Sequence, residues 1–352
     1  MTRLLKTRHT HELLQAAPVL AGGVPEHSAL VLPAYGGRIG SAMRIDLPDD
    51  QLDAWAASVV HLAGFVDADS AAVILYPSVE IGSGQLPMTD VAIALTAAAG
   101  EARLPLSGLF IVGTDCWGDF SRPEAPRGTA AELLDPDLRF DGAEPGPLRS
   151  GDAAVPGAMS DRASAAQRRR IDALCNLCEE TCPIDAAQAA FDLPPEELTA
   201  AEAAVLSTLV QVPVVRDEIL MTLIAGVEEG ARTRAGAQQW HATGQSERVE
   251  YEASMLMGIT GDLDLTRLRR ALSCWRRVTE LTVSEQRPAV LAVLGWLHWA
   301  LGEASSAAAC IQRALEGDDA HSFSRIVESI IGSGHVPVWI QQRMRHAAEQ
   351  DG

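Results

Sequence analysis

The chain has 352 residues, 47% of them hydrophobic, and a formal charge of −19 at pH 7. That apolar fraction is enough to build packed cores and excludes a disordered chain. The acidic excess runs through both parts, with 10 basic against 20 acidic side chains in 1–160 and 18 against 27 in 161–352. Both parts repel a phosphate backbone at long range, which argues against nucleic acid as a partner.

The N-terminus does not read as a secretory leader, because Glu12, Gln15 and Pro18 interrupt its apolar part. The longest apolar run, 288–302, is shorter than a bilayer span and contains His298. The expectation is a soluble cytoplasmic protein whose six cysteines are reduced and which makes no membrane contact.

Residues 1–120 alternate helix and strand signals. A helical stripe runs from Leu13 to Leu20, and "SALVLPAYGGRIGSAMRID" reads as two strands around a Tyr35-Gly36-Gly37 turn. "DDQLDAWAASVVHLAGF" is a helix, "SAAVILYPS" a strand buried on both faces, "MTDVAIALTAAAGEA" a helix and "SGLFIVGTDCW" a second buried strand. A hairpin followed by two helix–strand units predicts an α/β domain with a mixed sheet over 1–120.

Residues 121–158 hold six prolines and five glycines and read as a linker or surface excursion, with "LLDPDLRF" as an edge element. The remainder, 159–352, reads as an all-helical domain. "SDRASAAQRRRIDALCNLCEETC" is expected as one helix stopped by Pro183, and Thr199 with Glu202 forms a capping box. Gly295, His298, Gly302, Ala307, Ile311 and Ala314 fall at tetratricopeptide spacing, so the domain is expected to be tetratricopeptide-like; an ordinary helical hairpin is the other reading.

Several segments, in order, resemble one family: "ELLQAAPVLAGGVPEHSALVL", "MRIDLP", "VVRDEIL" and "VLGWLHWALGEASSAAACIQRALEGDDAHSFSRIVESIIGSGHVPVW". The chain is similar to the actinobacterial DUF4192 family, a domain of unknown function, over nearly its full length. The resemblance implies lineage and fold rather than an activity. Members of that family often carry a cysteine cluster after the last N-terminal strand, whereas here the place holds only Cys116.

Three sets of residues are candidates for function. Ligands of open α/β sheets sit beyond the carboxyl ends of the strands, which points to Tyr76, Asp115, Cys116 and Trp117 as a small-ligand site or an enzymatic one. Cys175, Cys178 and Cys182 form C-x2-C-x3-C-P, the tail of a ferredoxin-type run, with Asp172 in the first thiolate's place, so zinc or an iron–sulfur cluster is one reading. The same cysteines continue Ile171 and Leu174 as the buried stripe of a helix, in which case no cofactor is needed. In the helical domain, Trp296 and Trp299, with His298, are expected to anchor a protein partner in an exposed groove. Arg216-Asp217 reads as structural, with Asp217 complementing a helix N-terminus and Arg216 pairing with an acidic neighbour. The sequence carries no phosphate loop, dinucleotide fingerprint, nucleophile elbow or H-E-x-x-H pair. The leading expectation is therefore a non-catalytic interaction or adaptor module.

Overall fold

A computed structural model describes residues 10–21, 24–35, 38–39, 42–48, 50–65, 68–133, 155–174 and 181–349. The first region opens with α1 (Thr10–Leu20), β1 (Ser28–Tyr35), β2 (Arg38–Ile39) and β3 (Met43–Asp46). It continues with α2 (Leu52–Phe65), β4 (Ser70–Tyr76), α3 (Thr89–Glu101), β5 (Leu106–Val112), β6 (Cys116–Asp119) and β7 (Gly128–Thr129). The strands form one sheet in the order β2-β1-β4-β5-β6-β7, with β3 also paired to β1. Only β4 and β5 run parallel, joined by α3, so the sheet is mixed as the element pattern predicts.

Two strands differ from expectation. The return arm of the first hairpin is described as β2 and β3, whose registers against β1 differ by one residue, with Ala34 facing Ile39 and Val31 facing Met43. The predicted turn residues Gly36 and Gly37 lie outside the described residues. The second difference is at "SGLFIVGTDCW", which is a hairpin of β5 and β6 rather than one strand. "LLDPDLRF" falls almost wholly outside the described residues; Leu133 ends a short 3-10 turn, Ala130–Leu133, that follows β7.

The helical region comprises α4 (Asp161–Leu174), α5 (Pro183–Asp192), α6 (Ala200–Leu209), α7 (Pro213–Ala225), α8 (Val227–Thr243) and α9 (Glu247–Leu256). It ends with α10 (Leu265–Glu280), α11 (Arg287–Ala300), α12 (Ala304–Gly317), α13 (Ser322–Gly332) and α14 (Val338–Glu349). The expected Thr199–Glu202 capping box is present on α6. Pro183 does not stop a helix but starts one, because proline at the first turn gives up an N–H that has no partner there.

Strand alternation divides the packing. Ala71, Val73 and Leu75 face α2 and α3, whereas Ala72, Ile74 and Tyr76 face α1 and Leu133. The core on the α2 side does not stop at the sheet. It runs through Met43 and Ile45 into Trp296, Trp299 and Trp339, and β3 touches α12 and α13. At the junction a β-carbon on Gly334 would lie 2.4 Å from Leu62 of α2, so only glycine allows the α13–α14 turn to press against that helix. Among the described residues no helix is long and apolar enough to cross a membrane.

All fourteen residues of α11 are buried, the expected position for a helix that is apolar on every side. The predicted close approach of α11 and α12 is present. A β-carbon on Gly295 would meet Ile311 Cδ1 at 2.7 Å, and Gly302 turns the chain with φ +83°. This is a tight helical hairpin, a geometry that an ordinary hairpin and a repeat unit share.

Candidate functional site

The strand-end residues do not converge. Asp115 sits in the β5–β6 turn, where Oδ1 accepts from Ile81 N–H at 2.8 Å and Oδ2 from Gly82 N–H at 2.9 Å. Those two amides, Ile81 first, hold the carboxyl down at about 2. Thr114 N–H donates to Val79 O at 3.0 Å, and a β-carbon on Gly113 would sit 2.6 Å from that same oxygen. Asp115 therefore clamps the loop after β4 onto the β5–β6 turn. Cys116 points to the α2 side, its Sγ 3.3 Å from Gly82 O, and burial pushes its thiol up, so it is not a reactive thiolate. Tyr76 and Trp117 point to the other face, toward α1. The Tyr76 hydroxyl and the Trp117 indole N–H are enclosed without a hydrogen-bond partner among the described residues, and burial raises the Tyr76 phenol. The expected common pocket is thus replaced by a loop clamp on one side and two enclosed donors on the other, because successive strand residues take opposite faces.

The expected partner anchors are interior. Trp296 is 0% exposed, Trp299 2% and His298 3%. Each indole N–H is satisfied by a carbonyl, Trp296 by Leu256 O at 2.8 Å and Trp299 by His335 O at 2.9 Å. His298 Nδ1 lies 2.6 Å from Glu303 Oε2. These side chains hold α11 to its neighbours through carbonyl and carboxylate partners.

Of the cysteine run, Cys182 lies in the described residues. α4 is described as far as Leu174, and Cys182 has extended dihedrals as the residue before α5, so Cys182 does not continue a helical stripe from Ile171. Its Sγ accepts from Arg234 Nη1 at 3.5 Å. Asp172 is exposed. Cys175 and Cys178 lie outside the described residues. The described cysteines Cys116, Cys182, Cys274 and Cys310 are free thiols, and burial pushes Cys274 and Cys310 up to about 12.

A charged cluster that sequence reading resolved only in part surrounds "VVRDEIL". Arg216 pairs with its own neighbour, donating from Nε and Nη2 to Asp217 Oδ1 at 2.9 and 2.7 Å, and its guanidinium stacks 4.0 Å over Phe323. Glu218, 5% exposed, receives Arg234 at 2.8 Å. Arg248 binds both Glu229 and Glu252. Gly226, with φ +101°, folds α8 back on α7 and so brings position 234 to 218. Desolvation raises the Asp217 and Glu252 carboxyls above the usual range despite their arginine partners. Three adjacent charges inside an otherwise apolar helical segment were the available signal, since buried charges require partners.

Behind α11, a cavity of about 20 Å³ lined by Met43, Arg44, Trp299 and His335 lies between β3 and the helices. It has room for about one water molecule and none for a substrate. On the outside of the same wall lies an open groove of about 240 Å³, formed by Met257, Ile259, Ser329, Ile330, Ser333 and His335. Ile259 is 62% exposed, and Ile326, one helical turn before Ile330, is 47% exposed. The loop carrying Ile259 is held outward by its glycines. Gly258 has φ +70°, and a β-carbon there would meet the Trp299 ring at 2.6 Å. Trp299 therefore supports the exposed loop from inside instead of meeting a partner directly.

A mixed sheet continuous with a helical layer, with a loop clamp at the strand ends and an apolar groove on the helices, defines an α/β-plus-helical protein. The chain belongs to the DUF4192 family: a family model described as a domain of unknown function matches residues 11–338. No curated protein and no solved structure matches the chain.

Proposed function

We propose that the chain is a cytoplasmic, non-catalytic interaction module that receives a protein partner in the groove between the α9–α10 turn and α13. The observation that carries this reading is the open concavity lined by Met257 and Ile259, 38% and 62% exposed, against α13, on which Ile326, one turn before the lining Ile330, is also exposed. Exposed apolar groups gathered at a concavity mark candidate contact sites. Co-purification from the native host tests it, comparing the natural chain with an Ile259→Asp/Ile326→Asp variant. The expected result is a partner that the variant loses and an Asp115→Asn variant keeps. Equal recovery by all three chains overturns the groove assignment.

A second reading places a small polar ligand, bound or turned over, on the α1 face of the sheet. The enclosed, unpartnered Tyr76 hydroxyl and Trp117 N–H favour it. A metabolite panel that shifts the melting temperature of the natural chain but not of Tyr76→Phe supports this reading, and equal shifts remove it.

A further inference from the structure

We infer that the partner segment taken by the α9–α13 groove is cationic, an aliphatic anchor flanked by lysine or arginine. This rests on the groove reading above and adds the chemistry of the occupant. The two stretches that build the groove walls, 247–264 and 318–333, carry eight acidic side chains and two basic ones. Both basic groups are already engaged. Arg248 is held between Glu229 and Glu252, and Arg325 donates to Asp319 O at 2.9 Å and lies 3.4 Å from Glu328. Glu247, Glu250, Asp262, Asp318, Asp319 and Glu328 are exposed.

The segments that supply most of the lining are thus acidic on a chain of net charge −19, and Asp262 stands exposed three residues from the lining Ile259. A negative surface speeds encounter with a positive segment and repels a negative one. A second copy of this chain brings the same charge, and an anionic lipid surface is repelled as nucleic acid is. The aliphatic groups supply the contact, and the acidic charge of these segments and of the chain selects the sign of what arrives.

Fluorescence anisotropy tests the inference with two labelled amphipathic peptides of identical leucine spacing, one with lysine and one with glutamate at the polar positions. At physiological salt the lysine peptide is expected to bind the full chain at least about tenfold more tightly than the glutamate peptide. The Ile259→Asp/Ile326→Asp variant adds two negative charges, so attraction by charge alone strengthens its lysine-peptide binding, whereas docking in the groove weakens it by about tenfold. Because both positions are exposed, a melting temperature near that of the natural chain confirms that the variant folds; Glu250→Lys/Asp262→Lys leaves the floor intact and is expected to weaken the lysine peptide by at least about threefold.

Equal binding of the two peptides, both lost in the double aspartate variant, overturns the cationic inference and leaves the groove reading standing. Lysine-peptide binding that is undiminished in that variant overturns the groove reading itself. A dimer in light scattering that dissociates on the same substitutions identifies a second copy as the occupant and overturns the inference, as does failure of the lysine peptide to bind.

Discussion

Two helices of the same layer treat their large apolar side chains in opposite ways. α11 is apolar on every side and buries all fourteen residues, its tryptophans included. α13 is amphipathic, burying Phe323, Val327 and Ile330 while Ile326 remains 47% exposed. Residue type therefore misleads about contact surfaces. An aromatic-rich segment with no polar face fills the interior, whereas an amphipathic helix leaves an outer face on which an aliphatic side chain can stay exposed.

The largest test of that contrast is Trp296→Ala, which removes a fully buried indole and leaves Leu256 O unpaired. Roughly 3–5 kcal/mol of unfolding free energy is expected to be lost in a denaturant titration. Persistence of full stability would mean that α11 is not the centre of the core. Arg234→Met probes the interior charges: Glu218 loses its guanidinium, and because Arg234 is itself a third exposed the loss expected in the same titration is about 2 kcal/mol. Gly295→Ala sharpens the helical hairpin. The added methyl meets Ile311, and although alanine favours helix, a net loss of about 1 kcal/mol is expected in thermal unfolding.

Acid unfolding separates the clamp from the helical cluster. The Asp115 carboxyl is depressed in the folded chain, so its contribution is complete above its ordinary value of 3.8 and is lost as pH falls toward about 2. Asp115→Asn is expected to flatten the stability profile in that window alone. Asp217 and Glu252 are raised in the folded chain, so they favour folding when protonated and that advantage is lost as pH rises through their folded values. Asp217→Asn is expected to flatten the pH dependence of stability on the neutral side in denaturant titrations, and to lower stability overall because the buried Arg216 loses its counter-charge. The smallest effect is Ile326→Ser, which exchanges an exposed group and is expected to change stability by less than about 0.5 kcal/mol in denaturant while reducing partner capture.

Much of the fold was legible in local chemistry. The Thr199–Glu202 cap, the continuous apolar strand at 70–76 and the small residues of the α11–α12 hairpin each act within a few residues of themselves or at a fixed helical spacing. The candidate sites were less legible. Asp115 resembled a ligand-binding tip because its clamp partners, the Ile81 and Gly82 amides, lie 34 and 33 residues away. The groove had no motif, since Ile259 and Ile330 meet only when two separate segments pack side by side.

From the order of its residues alone, the chain determined its family, its succession of sheet and helices, and its acidity. These follow from side-chain period, backbone chemistry and charge, which act locally or add up regardless of arrangement. Tertiary structure alone decided that the tryptophans are interior, that the strand-end aspartate is a clamp, and that Ile259 and Ile330 line one groove. Burial is a property of what packs against a face, and that face is completed by residues distant in the chain.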